Sequence, residues 1–184
     1  VIMPSPVGHV TGYSYGLEMP FNLETRSILM ERWDPAAAVA LIDENAVSMT
    51  IGATPFLAEL IEAAERAGSR LPSLRAFACG GAAVPPALIR RANALFENGV
   101  AFRVFGSSEA PMITQGFLGP GQRDLAADTD GEIVDFEVRV VDEAGRDVAT
   151  GQEGEILARG PALMCGYADP AQTAESIDAE GFFR

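Results

Sequence analysis

The sequence predicts an α/β fold: a parallel, doubly wound sheet with flanking helices, followed by a small antiparallel β-sheet or partial barrel. Three observations carry that reading. Short apolar runs alternate with segments of helical periodicity between Arg26 and Phe105. The helical segments open on a capping residue followed by proline. Beyond Gly121 the pattern changes to period-two alternation punctuated by Gly, Asp and Glu.

In order, Arg26–Met30 reads as a strand. Asp34 then offers a capping carboxylate, Pro35 suits the first helical turn, and Val39, Leu41 and Ile42 continue the helix. Val47–Ile51 is the next strand. Thr54-Pro55 repeats the cap-then-proline start, Phe56, Leu57, Leu60, Ile61 and Ala64 fall at helical spacing, and Gly68 is the stop. Leu74–Cys79 is a third strand, running into Gly80-Gly81. A helix from Pro85 or Pro86 to Phe96 leads to the fourth strand, Val100–Phe105. Strands joined by helices imply a parallel sheet covered on both faces, with ligands bound beyond the carboxyl ends of the strands. The Gly80-Gly81 and Gly106-Ser107-Ser108-Glu109 loops both follow strands, so both are expected at that edge. Farther on, Glu137–Asp142 and Gly154–Arg159 alternate as half-buried strands do, with Glu143-Ala144-Gly145-Arg146 as a turn between strands. The expected division is an α/β unit over 1–121 and a truncated β-rich unit over 122–184.

Composition narrows the function. The chain has 184 residues, 48% of them hydrophobic, which suits a packed core and not a disordered chain. A net charge of −13 argues against nucleic acid, whose phosphates are held by Lys and Arg. All thirteen basic side chains are Arg; without Lys there is neither a Schiff-base amine nor a phosphate-loop lysine. No apolar run is long enough to span a bilayer, and Val1–Pro6 has no signal-peptide character. Both ends look cut. Cys79 and Cys165 do not form a CxxC pair and read as reduced, packed thiols of a cytoplasmic protein. The Asp124–Asp135 acidic run reads as a solvated loop. Gly119-Pro120-Gly121 lacks the strand and helix context of a dinucleotide fingerprint.

Three clusters could carry chemistry. In Phe105-Gly106-Ser107-Ser108-Glu109, an aromatic face can stack a base, hydroxyls can donate to phosphate oxygens, and a carboxylate can hold Mg²⁺. The same residues equally make a strand followed by a serine-capped turn. In Cys79-Gly80-Gly81-Ala82-Ala83, small residues permit close approach of a flat ligand, or simply turn the chain from strand to helix. His9, the only histidine, lies in Pro6-Val7-Gly8-His9-Val10-Thr11-Gly12, and one histidine does not make a nucleophilic triad.

Taken together and in this order, these clusters resemble the adenylate-forming superfamily of acyl-CoA synthetases, luciferases and peptide-synthetase adenylation domains. Pro6–Gly12 is similar to the family's P-x-x-H-x-x-G segment, Cys79–Ala82 to its small-residue loop, and Phe105–Glu109 to its aromatic-Gly-x-Thr-Glu signature. Gly154–Gly160 with Gly166-Tyr167, Pro170 and Thr173 resembles the family's G-E-hydrophobic…G-Y…T element. The nearest likeness is to cyclohexanecarboxylate- or medium-chain-type CoA ligases. The resemblance implies that Phe105 stacks on adenine, with Gly106 turning the chain and Ser107 beside it. Ser108 contacts the nucleotide phosphate and Glu109 binds Mg²⁺, these two being the catalytic pair. Gly80, Gly81 and Ala82 line the adenine and acyl groove, with His9, Cys79 and Gly80 on the substrate side. Phe105 departs from the commoner Tyr, and Ser108 from Thr.

The reaction implied is attack of a fatty or cyclic carboxylate on the α-phosphate of ATP, then displacement of AMP by CoA. The family's phosphate-loop Lys and C-terminal Lys are not in this chain, and a T-G-D element is expected just past Arg184, so the piece alone is expected not to turn over. The partners implied are a carboxylic acid, ATP, CoA, the remainder of a longer chain, and a second copy in a homodimer. Two alternatives stand beside this: an amino-acid adenylation domain, against which the lack of an Asp near His9 counts, and a catalytically silent binding module.

Overall fold

The computed structural model describes residues 1–119 and 121–184; Pro120, the middle of the Gly119–Gly121 turn, lies outside the described residues. β1 (Ile2–Met3) opens the chain. A helical stretch follows, comprising α1 (Val10–Tyr13), a π-helical turn (Ser14–Glu18) and α2 (Met19–Asn22). β2 (Ile28–Leu29) then pairs in parallel with β1. The expected strand Arg26–Met30 is therefore only two residues long and does not join the main ladder. Pro4 follows β1 directly and has no N–H to extend the pairing.

The central unit follows the sequence pattern closely. α3 (Pro35–Asn45) is capped by Asp34, whose carboxylate accepts from the Ala36 and Ala37 N–H groups at 2.9 and 3.0 Å. β3 (Met49–Gly52) leads into α4 (Thr54–Ala67), which ends at Gly68 in the left-handed conformation, φ 66°. Thr54 is the first helical residue and not the cap; its hydroxyl donates instead to the Ala83 carbonyl at 3.0 Å. β4 (Ala76–Cys79), α5 (Pro86–Leu95) and β5 (Val100–Arg103) complete a three-stranded parallel sheet, β3-β4-β5, with Thr50, Phe77 and Ala101 in register.

Strands added in one direction by right-handed crossovers place their helices on one face. The main core reflects this: Val39 and Ile42 of α3, Leu57 and Ile61 of α4 and Ile89 of α5 pack against Phe77, Cys79 and Ala101. The crossover helices thus cover one face and not both. Side chains alternate along the strands, so Ala76, Ala78, Phe102 and Val104 face the other way and meet Phe117 and Ala126.

The remaining elements close over that second face. β6 (Thr114–Gln115) is followed by α6 (Arg123–Asp128) and pairs antiparallel with β7 (Glu132–Ile133). The acidic run expected as loop therefore begins as a helix, because Ala126 and Ala127 bury completely while Asp128 pairs with Arg90 at 2.6 Å. β8 (Glu137–Val141) and β9 (Glu155–Arg159) form the antiparallel pair read from the sequence. The expected turn is present; the Asp142 carboxylate accepts from the Ala144 and Arg146 N–H groups at 2.9 and 3.0 Å, and Gly145 has φ 76°. It leads first to a single bridge between Val141 and Asp147. α7 (Pro170–Ser176), capped by Asp169, precedes Phe182, whose ring lies 4.4 Å from the Arg159 guanidinium carbon. Among the described residues no helix is long and apolar enough to cross a membrane.

Candidate active site

The second face of the sheet is the floor of a cavity of about 790 Å³. Met49, Ile51, Ala76, Ala78 and Phe102 supply the apolar floor. His9, Gly80, Gly81, Phe105, Gly106, Ser107 and Ser108 stand around it, so three motifs far apart in sequence share one space. No Arg lines this cavity among the described residues.

The rim is shaped by backbone constraints. Gly80 carries the chain past Val104 so closely that a Cβ would lie 2.6 Å from its carbonyl oxygen. Gly106 is equally confined, 2.6 Å in the same sense from the Pro111 oxygen. Ser107 closes the turn that follows β5: its N–H donates to the Ala110 carbonyl at 2.9 Å and its Oγ accepts from the Ala110 N–H at 3.1 Å. The serine-capped turn and the hydroxyl left free at the cavity are thus divided between two residues. Ser108 is exposed, lines the cavity, and its hydroxyl has no hydrogen-bond partner among the described residues.

Phe105 is 38% exposed and lies between the large cavity and a smaller one of about 360 Å³. Ala82 lines only the smaller one, together with Gly81, Gly106 and the ion pair of Arg103 with Asp130 at 2.7 Å. Thr114 fixes the backbone under the ring; its Oγ1 accepts from the Phe105 N–H at 2.8 Å and donates to the Asp130 carbonyl. His9 caps α1, with Nδ1 accepting from the Thr11 N–H at 3.2 Å. Accepting at Nδ1 assigns the neutral ring's proton to Nε2.

Cys79, expected on the substrate side, is in the core and does not line the cavity. It alternates with Ala78 and Gly80, so its side chain leaves by the helical face. Burial pushes its thiol up to about 11, against smaller opposing effects of Thr54 and Arg103.

Glu109 lies beside Ser108 but outside the cavity lining. Its Oε1 accepts from the Tyr167 hydroxyl at 2.9 Å. Its own backbone N–H, the Tyr167 hydroxyl and the Ser107 hydroxyl hold the carboxyl below the usual carboxylate range, with burial opposing them. Besides the Tyr167 hydroxyl, the residue's own N–H and the Ser107 hydroxyl, no group among the described residues donates to this carboxylate. An ionised carboxylate with lone pairs left over fits Mg²⁺, which commonly takes one or two protein carboxylates and completes its shell with substrate phosphates and water. Among the described residues there is no group of three or more His, Cys, Asp or Glu side chains placed to hold a metal, so phosphate oxygens would be needed.

Some residues at the site carry little local signal. Ala76 and Ala78 are legible as the alternate face of a strand, but Tyr15 and Met112 are not. Both line the cavity, and the Tyr15 hydroxyl donates to the Met112 sulfur at 3.5 Å.

A family model described as AMP-binding enzyme matches residues 1–168. Over 99% of its length the chain is 35% identical to the medium-chain fatty-acid–CoA ligase of Escherichia coli K12, and it spans 32% of that protein. It spans only about a third of the curated relatives it matches. The amide bond synthetase McbA of Marinactinospora thermotolerans superimposes with a TM-score of 0.85 at 26% identity, covering 100% of this chain and 37% of McbA. The O-succinylbenzoate coenzyme A synthetase of Bacillus subtilis superimposes with a TM-score of 0.82 at 21% identity, covering 100% of this chain and 37% of that one, a likeness of fold.

Proposed function

The chain belongs to the AMP-binding enzyme family, and from that membership we propose that it forms the nucleotide- and acyl-binding part of an AMP-forming acid–thiol ligase. In the proposed reaction a carboxylate attacks the α-phosphate of ATP and releases pyrophosphate, and CoA then displaces AMP from the acyl-adenylate. The observation that carries this reading is the convergence of His9, Gly80-Gly81 and Phe105–Ser108 on one cavity with an apolar floor.

In this reading the Phe105 ring stacks on the adenine opposite Gly80, Gly81 and Ala82, which lack side chains large enough to obstruct a flat base. Ser108 donates its unengaged hydroxyl to a phosphate oxygen, while Ser107 and Gly106 fix the turn that presents it. Glu109 binds Mg²⁺ through its carboxylate. Bound there, Mg²⁺ neutralises charge on the phosphate oxygens. His9 borders the acyl carboxylate, and Met49, Ile51, Ala76, Ala78 and Phe102 enclose the hydrocarbon. That wall, with the 35% identical medium-chain fatty-acid ligase, supports an aliphatic or cyclic acid as substrate. Among the described residues no Arg lines the cavity, so in this reading the charges that offset the triphosphate come from the rest of a longer chain, and this piece alone does not turn over. The division at residues 121 and 122, with α6 reaching back onto α5 and β5, a cytoplasmic location and a homodimer belong to the same proposal.

Pyrophosphate exchange by the full-length ligase carrying this chain tests the reading. Straight-chain and cyclic carboxylic acids are expected to support exchange and amino acids are not. Glu109→Gln is expected to lower it by roughly 100-fold, the scale of losing one preorganised electrostatic contact. Exchange driven by amino acids alone, or Glu109→Gln with unchanged exchange and Mg²⁺ dependence, would overturn it.

A further inference from the structure

We infer that Tyr167 is a positioning residue for Glu109, fixing the carboxylate in the orientation that meets the metal–phosphate unit; this rests on the ligase reading above. The hydroxyl of Tyr167 reaches Glu109 Oε1 at 2.9 Å across a sequence separation of 58 residues. A second contact ties the same two segments together, from the Met164 N–H to the Glu109 carbonyl at 2.7 Å. Backbone and side chain of Glu109 are thus both held by one stretch of chain.

That stretch is organised around the phenol. Gly166 has φ 146°, and a Cβ there would lie 3.0 Å from Thr173 Oγ1. The Thr173 hydroxyl accepts from the Tyr167 N–H at 2.9 Å. Asp169 accepts from the Ala171 N–H at 2.8 Å and starts α7, with Pro170 in its first turn, which brings Thr173 back beneath Tyr167. Gly166, Tyr167, Pro170 and Thr173 therefore each have a local task, and the chain of contacts ends at Glu109.

The chemistry of the donor supports the role. A lone glutamate samples several rotamers, and ordering it on ligand binding costs conformational entropy. A phenol donating to one carboxylate oxygen restricts those rotamers while leaving the full negative charge. An Arg or Lys in its place would restrict them too, but would compete with the metal for that charge. Among the described residues no cationic side chain pairs with Glu109. Partners that orient a metal ligand are worth roughly 10- to 100-fold in metal affinity.

The test uses the full-length ligase and calorimetric affinities for ATP with Mn²⁺ and for ATP in EDTA; their ratio measures what the metal adds. Tyr167→Phe is expected to reduce that ratio by roughly 10-fold while metal-free ATP binds as before. Glu109→Gln is expected to remove the metal increment, and Tyr167→Phe added to Glu109→Gln to change nothing further. Thr173→Val, which removes the support of Tyr167 without touching Glu109, should reproduce the loss in weaker form and serves if Tyr167→Phe does not accumulate. A full metal increment in Tyr167→Phe, where Glu109→Gln has abolished it, overturns the positioning role and leaves the ligase reading intact. A full increment in Glu109→Gln overturns both.

Discussion

One substitution made at two threonines should move stability in opposite directions. Thr114 is 7% exposed, and its Oγ1 serves two backbone groups, the Phe105 N–H at 2.8 Å and the Asp130 carbonyl. Thr50 is 2% exposed, and its Oγ1 is buried with no partner among the described residues. Valine nearly preserves the shape at both sites, so the difference isolates hydrogen bonding. Thr114→Val leaves two backbone groups without their partner, at about 1–3 kcal/mol each when buried. Phe105 is partly exposed, so water recovers some of that, and the expected loss is about 2 kcal/mol. Thr50→Val removes a hydroxyl whose burial is uncompensated and should gain about 1 kcal/mol. With a urea slope of roughly 2 kcal/mol per molar, the two unfolding midpoints should differ by roughly 1.5 M, with the unsubstituted chain between them. Thr114→Ser, which keeps the hydroxyl, should recover most of the loss. Equal shifts in one direction, or a serine variant as unstable as the valine variant, would refute the reasoning.

Two further outcomes follow from burial and close approach. In the folded chain an alkylating reagent should modify exposed Cys165 and spare Cys79, with both reacting in urea; modification of Cys79 at pH 8 under native conditions would contradict its burial. Because the folded Cys79 thiol is raised to about 11, its contribution to stability is complete below the unfolded thiol's pKa, about 8.5, and is lost as pH rises through about 11. Cys79→Ala should remove that alkaline slope from the melting temperature. Gly80→Ala, whose Cβ would meet the Val104 carbonyl, should displace the bend and, on the proposed reading, lower pyrophosphate exchange in the full-length protein by roughly 10- to 100-fold. Gly8→Ala, where nothing lies within 4 Å, should not.

Local chemistry was legible wherever a residue acts on its own neighbours. Asp34 before Pro35 announces the start of α3 because a carboxylate is the wanted acceptor for the first free N–H groups, and Gly68 announces the end of α4. The alternation in Val138, Val140 and Ile156 marks the antiparallel pair, although Ile156 is 41% exposed and Leu157 and Ala158 are the residues that bury. Gly80-Gly81 and Phe105–Ser108 could be singled out as small residues, hydroxyls and an aromatic ring following strands, which also read as ordinary turns, and His9 joined them only through the family resemblance. Long-range decisions were not legible. The two-residue strand Ile28–Leu29 is too short to carry a period, and its partner Ile2–Met3 is chosen by topology. The six-residue helix Arg123–Asp128 is hidden in an acidic run whose two buried alanines give a weak signal. Cys79 adjoins the glycine pair in sequence, yet strand alternation sends its side chain to the opposite layer. The bond between Tyr167 and Glu109 joins segments that nothing local connects.

The one-sided placement of α3, α4 and α5 makes the sheet a partition between two kinds of selection. On β4, Phe77 and Cys79 answer to α3, α4 and α5, whereas Ala76 and Ala78 answer to the cavity and to its cover at Phe117 and Ala126. Enlarging Ala76 or Ala78 would shorten the room for a guest without disturbing the layer behind, and trimming Met49 or Ile51 would lengthen it. Neighbouring positions on a single strand can therefore diverge independently, so the cavity can be reshaped while the layer behind the sheet stands still.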